Sequence, residues 1–99
     1  MAVMEISVIP LGAGHPSVGD FIADLVKYLR QEKIPHMLTD MGTLVQGDYR
    51  RLLDVAKALH ELPFARGVMR VVTHITIDDR RDKEVLLGDK TASVQARLA

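Results

Sequence analysis

Between Val3 and Asp78 the apolar residues twice change from strict alternation to a three-and-four rhythm and back again. Residues 3–9, VMEISVI, place Met4, Ile6 and Val8 on one face and Glu5, Ser7 and Ile9 on the other, the pattern of a half-buried strand. PLGAGHP breaks the chain. Val18, Phe21, Ile22, Leu25, Val26 and Leu29 then form one helical stripe. Ser17 and Asp20 before and within its first turn resemble a capping box with Asp in place of Glu, and Pro35 ends the unit. HMLT (36–39) and TLVQ (43–46) read as short strands around DMG. Asp48 is placed to cap a second helix striped by Tyr49, Leu52, Leu53, Ala56, Leu59 and His60. After Gly67, the run VMRVVTHITID (68–78) sets Met69, Val71, Thr73, Ile75 and Ile77 on one face. Asp82 can cap a third helix in which Leu87, Thr91, Val94 and Leu98 align. Gly88 inside that helix costs about 1 kcal/mol against Ala, so the helix is expected to lean on packing.

The order is therefore βαββαβ with an added C-terminal helix. Two βαβ-like halves predict an α+β sandwich, in which a four-stranded antiparallel sheet carries both main helices on one face. This is the ferredoxin-like arrangement, expected as a single domain over residues 1–99. It leaves the other sheet face open. That face would carry Glu5, Ser7 and Ile9 from the first strand and Arg70, Val72, His74, Thr76 and Asp78 from the last. Such a mixed face suits a partner subunit or a ligand.

Composition removes several function classes. The chain has 99 residues and no cysteine, which excludes disulfides, thiolate catalysis and the cysteine pair of small metal chaperones of this fold. Thirteen basic and thirteen acidic residues cancel, which argues against bulk attraction to nucleic acid or an anionic membrane and permits self-association. RNA-binding sheets of this fold stack bases on strand aromatics, but Phe21, Phe64, Tyr28 and Tyr49 all fall on helices or their ends. The acyl-phosphate hydrolases of the fold need an Asn, and the sequence has none. MAVMEISVIPLG has no basic leader region, and its apolar run is too short to span a bilayer. A mature cytoplasmic protein is expected.

The smaller motifs carry little chemistry. Gly12–Ala13–Gly14 precedes a helix start, where an anion can sit, but no Lys-Ser or Lys-Thr follows and a third glycine is missing. His15, His36, His60 and His74 show no metal-binding helical spacing, and no metal site or cofactor is predicted. The charge run DDRRDKE (78–84) interleaves opposite signs. It reads as a strand-to-helix junction, with Asp78 or Asp79 paired to Arg80 or Arg81 within the chain or across a subunit interface.

Three segments together resemble the thiamine-binding protein family: ISVIPLGAGHPSVGDFIADLVKYL (6–29), LTDMGTLVQGD (38–48) and GVMRVVTHITIDDRRDKE (67–84). Ser7, Pro10 and Gly12 match its first-strand pattern. Thr39, Met41, Gly42 and Thr43 match its T-x-M-G-T turn. Asp78, Asp79, Arg80 and Arg81 match its strand-end charges, whereas Asp40 stands where the family more often has Pro. The resemblance implies a ferredoxin-like fold with a C-terminal helix, homotetramers built as dimers of dimers, and non-catalytic binding of thiamine or its hydroxymethylpyrimidine half. A ligand site would then draw hydroxyls from Ser7, Thr39 and Thr43, ring contacts from Met41, Ile9 and Leu11, and a carboxylate for the thiazolium from Asp40 or Asp79. Asp78, Arg80 and Arg81 are assigned to an interface. Two other readings stay open: an oligomeric or regulatory module without a dedicated ligand, and an enzyme acting on a related pyrimidine.

Overall fold

The computed structural model describes residues 1–12, 14 and 17–99. Ala13, His15 and Pro16 lie outside the described residues, and with them most of the anion-turn reading and the first of the four histidines. The elements are β1 (Ala2–Leu11), α1 (Val18–Gln31), β2 (His36–Leu38), β3 (Thr43–Gly47), α2 (Tyr49–Ala65), β4 (Arg70–Asp79) and α3 (Asp89–Leu98). The sheet order is β2-β3-β1-β4, antiparallel throughout. This is the α+β sandwich that the alternation predicts.

Register explains the core. Met4 pairs with Val45 and Ile77, and Ile6 with Thr43 and Ile75. From Val71 on, the predicted inward face of β4 is therefore continuous with that of β1 under α1 and α2; Met69, predicted to join it, precedes β4 and is 90% exposed. Met4, Ile6, Val45, Leu29, Leu52 and Leu59 on that side are almost wholly buried, and each contributes about 1.5–3 kcal/mol of transfer free energy. Ile75 stays 43% exposed because β4 is an edge strand. His60 leaves the apolar stripe of α2 for this edge, where its Nδ1 lies 2.7 Å from the Thr73 hydroxyl.

The helix ends show how local chemistry sets the boundaries. Asp48 caps α2 as predicted, accepting from the Arg50 N–H at 2.9 Å. Ser17 is the N-cap of α1 but makes no side-chain cap bond. Its hydroxyl donates to the Asp20 carboxylate at 3.3 Å instead. The chain leaves α1 through Lys33, whose φ of 54° is left-handed, and the Ile34 N–H returns to the Leu29 carbonyl at 3.0 Å. This closing turn normally favours Gly; here it returns Ile34 to the core.

The third helix begins six residues later than the Asp82 cap predicts, with its N-cap at Gly88. Asp82 cannot cap it because its two carboxylate oxygens accept from Arg80, at 2.6 and 2.9 Å. The chain instead runs on to Gly88, whose left-handed φ of 88° makes it the N-cap rather than an interior residue. No residue of α3 is buried. With α3 outside the sandwich, the radius of gyration is 14.9 Å, against about 13 Å for an ordinary domain of 100 residues.

Arg66, at the end of α2, ties the two main helices together. Its guanidinium donates to both oxygens of Asp24 on α1, one of them at 2.9 Å, and lies 5.9 Å from the Phe21 ring centre. The donated hydrogen bonds hold the Asp24 carboxyl below its usual pKa against a smaller opposing effect of burial. A depressed acid stabilises the fold fully above its unfolded pKa, about 3.9, and the contribution is lost as pH falls through the lower folded value. Urea midpoints of the parent and Asp24→Asn proteins should therefore differ by a constant above about pH 5 and converge below about pH 4. Parallel curves down to the acid limit would show that the ion pair contributes nothing.

Candidate functional site

β1 outruns β3. The two strands pair only from Ala2 to Ile6 on β1, whereas β4 follows β1 all the way to Leu11. Past Ile6, among the described residues, no strand lies beside the β3-side edge of β1. The turn of residues 39–42 lies against its start.

That turn is closed by its own hydroxyl. Thr39 Oγ1 donates to the Gly42 carbonyl at 2.7 Å and accepts from the Met41 and Gly42 N–H groups at 3.3 and 3.2 Å. Ser7 Oγ donates to the Met41 carbonyl at 3.2 Å, anchoring the turn on β1. The approach leaves little room for a side chain on Gly42. A Cβ on Gly42 would lie 3.2 Å from both the Ile6 carbonyl oxygen and Ser7 Oγ, and 3.3 Å from Glu5 Cγ.

Beside the turn is a cleft of about 250 Å³. Ser7, Thr39, Met41, Gly42 and Thr43 all line it, together with Asp40 and Ile9. Their chemistry differs. Thr43 is 3% exposed and shares the inward face of β3 with Val45. The Ser7 and Thr39 hydroxyls hold the turn. Met41 is 84% exposed and Asp40 is exposed. Among the described residues, Asp40 is the one Asp, Glu, His, Lys, Arg or Tyr in the lining.

The far wall was not singled out by the sequence. It comes from α1 (Val18, Phe21, Ile22 and Leu25) and α2 (Leu59, Leu62 and Pro63). Helical periodicity marks most of these positions as core. One signal was nonetheless present. The α1 stripe is wider than the sheet beneath it can cover, leaving Val18 at 56% and Ile22 at 38% exposure.

Other expected site residues lie elsewhere. Pro10 is buried opposite Val71, and Gly12 has a φ of 107° at the strand exit. Neither they nor Leu11 line the cleft. Asp79 pairs with Ala2, at the opposite end of β1. Five residues separate it from the Ser7 level, roughly 17 Å at the usual strand rise. Asp79, Asp78, Arg80 and Arg81 instead line a second groove, of about 820 Å³, on the open sheet face. There Arg81 donates to Asp79 at 2.8 Å and lies 5.5 Å from the Tyr49 ring centre. Hydrogen bonds from Arg81 and Arg80 lower the pKa of Asp79 and Asp82 respectively. Among the described residues, no group of three or more His, Cys, Asp or Glu side chains is placed to hold a metal ion. No helix there is long and apolar enough to cross a membrane.

Comparison with known proteins gives this geometry a context. A UPF0045 protein of Staphylococcus xylosus is 45% identical over 102 aligned residues, covering 99% of this chain and 95% of its own. A UPF0045 protein of Bacillus subtilis is 43% identical, covering 99% and 98%. Among solved structures, a hypothetical protein of Methanocaldococcus jannaschii superposes with a TM-score of 0.81 at 31% identity, over 95% of each chain. A Thermotoga maritima protein, described as a candidate for thiamine biosynthesis or salvage, shares the fold at a TM-score of 0.74 and 17% identity, over 94% of this chain and 97% of its own. The family model for thiamine-binding proteins matches residues 4–95, and the chain belongs to that family.

Proposed function

We propose that this protein binds thiamine or its hydroxymethylpyrimidine half, without transforming it, in the cleft beside the 39–42 turn. The observation that carries this reading is the β3-side edge of β1 beyond Ile6, unpaired among the described residues, beside an apolar wall from α1 and α2. Unpaired strand edges present backbone donors and acceptors in fixed directions, which suits the alternating donors and acceptors of an aminopyrimidine. Apolar walls with a few fixed polar groups are the usual composition of a small-molecule site. Membership of the family and the salvage role suggested for the Thermotoga relative support the same ligand.

Size and charge orient it. At about 250 Å³ the cleft lies just under the common range of about 300–1,000 Å³, and so accommodates one ring better than two. The pyrimidine enters, and the thiazolium stays at the mouth beside Asp40 and Met41. The thiazolium cannot lose its charge, so it benefits from the Asp40 carboxylate, while the Met41 thioether offers a polarisable surface. A single carboxylate at the mouth makes no acid–base pair, which favours binding over catalysis. The functional setting is cytoplasmic, without nucleic acid or membrane partners. The open sheet face and the unburied α3 favour self-association, with a homotetramer built from dimers as the proposed state.

Calorimetric titration with thiamine, its phosphates and hydroxymethylpyrimidine tests the reading. Saturable heat is expected with at least one of them. No heat and no thermal stabilisation with any, at millimolar ligand, would favour the oligomeric module. Loss of a neutral hydrogen bond costs about 0.5–1.5 kcal/mol, so Thr43→Val should weaken binding about two- to twelvefold on this scale while leaving the fold intact. Asp40→Asn separates the two rings. It should weaken thiamine by roughly two- to sixfold, on the scale of about 1 kcal/mol for a solvent-exposed charge pair, and the effect should fade with added salt. Hydroxymethylpyrimidine, which lacks the permanent charge, should bind as before. Equal losses for both ligands would place the cation away from Asp40.

A further inference from the structure

We infer that α3 of one copy docks, reciprocally, in the groove on the open sheet face of a second copy; this rests on the self-association proposed above and names the contact that carries it. α3 is described over ten residues, none buried, and its N-cap Gly88 supplies no side-chain bond. Isolated helices shorter than about 12–15 residues are marginal in water, so α3 needs a packing surface that its own chain does not supply. Thr91, Val94 and Leu98 form its apolar stripe, with Val94 54% and Leu98 81% exposed.

The groove meets that need. Its floor includes Val3, Leu44 and Met37, the last 45% exposed. The chain's own α3 contributes only Lys90 and Thr91 to the lining, so the stripe from Val94 onward leaves its own groove open. An orphan helix and an uncovered floor on one chain fit a two-fold arrangement in which each copy supplies what the other lacks.

Charge selects the same occupant. Glu5 lies in the floor and, among the described residues, has no ion-pair partner. Lys90 is committed to Asp78 at 2.7 Å. Arg97, seven residues further along the same flank of α3, donates among the described residues only to Ser93 of its own helix. Docking the stripe of a second copy brings a free cation to an unpaired carboxylate. A strongly charged foreign segment gains no such advantage, because the groove rim mixes Asp78, Asp79 and Asp82 with Arg80, Arg81 and Lys90.

The test is molar mass by light scattering across a dilution series, with circular dichroism to verify folding. The parent chain should associate at micromolar concentration. Val94→Asp with Leu98→Asp should weaken association at least tenfold and leave calorimetric titration with thiamine unchanged, because the cleft lies elsewhere. Glu5→Arg and Arg97→Glu should each weaken association, and combining them should restore it. A monomeric parent would overturn the self-association reading altogether. An associated parent whose mass is unmoved by the Val94 and Leu98 changes, or a charge swap that restores nothing, would overturn this docking alone. Thiamine binding would stand in either case. Should the double Asp variant fail to fold, the exposed Arg97→Glu change and its rescue decide the matter.

Discussion

Replacing Leu59 by Ala is expected to lower the unfolding free energy by about 2–5 kcal/mol. Leu59 is 0% exposed. It belongs to the central cluster with Met4, Ile6, Leu25 and Leu52, and it also lines the cleft. Truncation removes a buried side chain and leaves a void whose walls are two helices and a sheet, so only partial collapse is available. Domains of this kind hold about 5–15 kcal/mol in total, so the loss is a large share of the margin. Urea unfolding should show a lower midpoint with an unchanged slope, since the same surface is exposed on unfolding. The apolar floor of the cleft recedes as well, so ligand affinity should fall in protein that remains folded. Leu62→Ala, at a half-buried position on the same wall, should cost less. A shift under about 1 kcal/mol for Leu59→Ala would contradict its place in the core.

Gly42→Val should separate the turn from β1. An added Cβ meets the Ile6 carbonyl oxygen and Ser7 Oγ at 3.2 Å and Glu5 Cγ at 3.3 Å. The Glu5 side chain can move aside, but the Ile6 carbonyl belongs to a central strand. Two effects oppose each other. Removing a glycine restricts the unfolded chain, which stabilises by about 0.4–1 kcal/mol. Forcing a branched side chain into a filled space costs about 1–3 kcal/mol. The steric cost wins because a backbone atom is among the obstacles, and the net loss should be about 1–2 kcal/mol. The functional loss should be larger than the structural one. The turn carries Asp40, Met41 and the approach to Thr43, so its displacement should reduce thiamine binding at least tenfold. Ser7→Ala, which removes only the 3.2 Å hydrogen bond to Met41, should lie between Gly42→Val and the parent. Unfolding midpoints and calorimetric titration on the same preparations check both. Full affinity in a folded Gly42→Val protein would mean that the turn does not shape the site.

Side-chain periodicity by itself determined the sandwich. Alternation in 3–9 and 68–78 and the stripes of 18–29 and 49–60 each name a buried face, and a sheet with both helices on one side buries all of them together. The cap at Asp48 and the break at Gly67 were equally legible, because each rests on one residue's local chemistry. Asp82 misled for the complementary reason. Its capping role depended on whether its carboxylate was free, and Arg80 two residues away had engaged it. Family motifs in the sequence brought attention to Ser7, Thr39, Met41, Gly42 and Thr43, which the fold collects around one cleft. They could not distinguish the work of the three hydroxyls, because Ser7 and Thr39 acquire their partners only when the 39–42 turn meets β1. The same motifs included Asp79, which the antiparallel register carries to the far end of β1. Only tertiary structure decided these points. The cleft exists because β1 is longer than β3 and the α1 stripe is wider than the sheet below it. Both are relations between segments far apart in the chain, and a local pattern records the face of each segment but not where its neighbour stops.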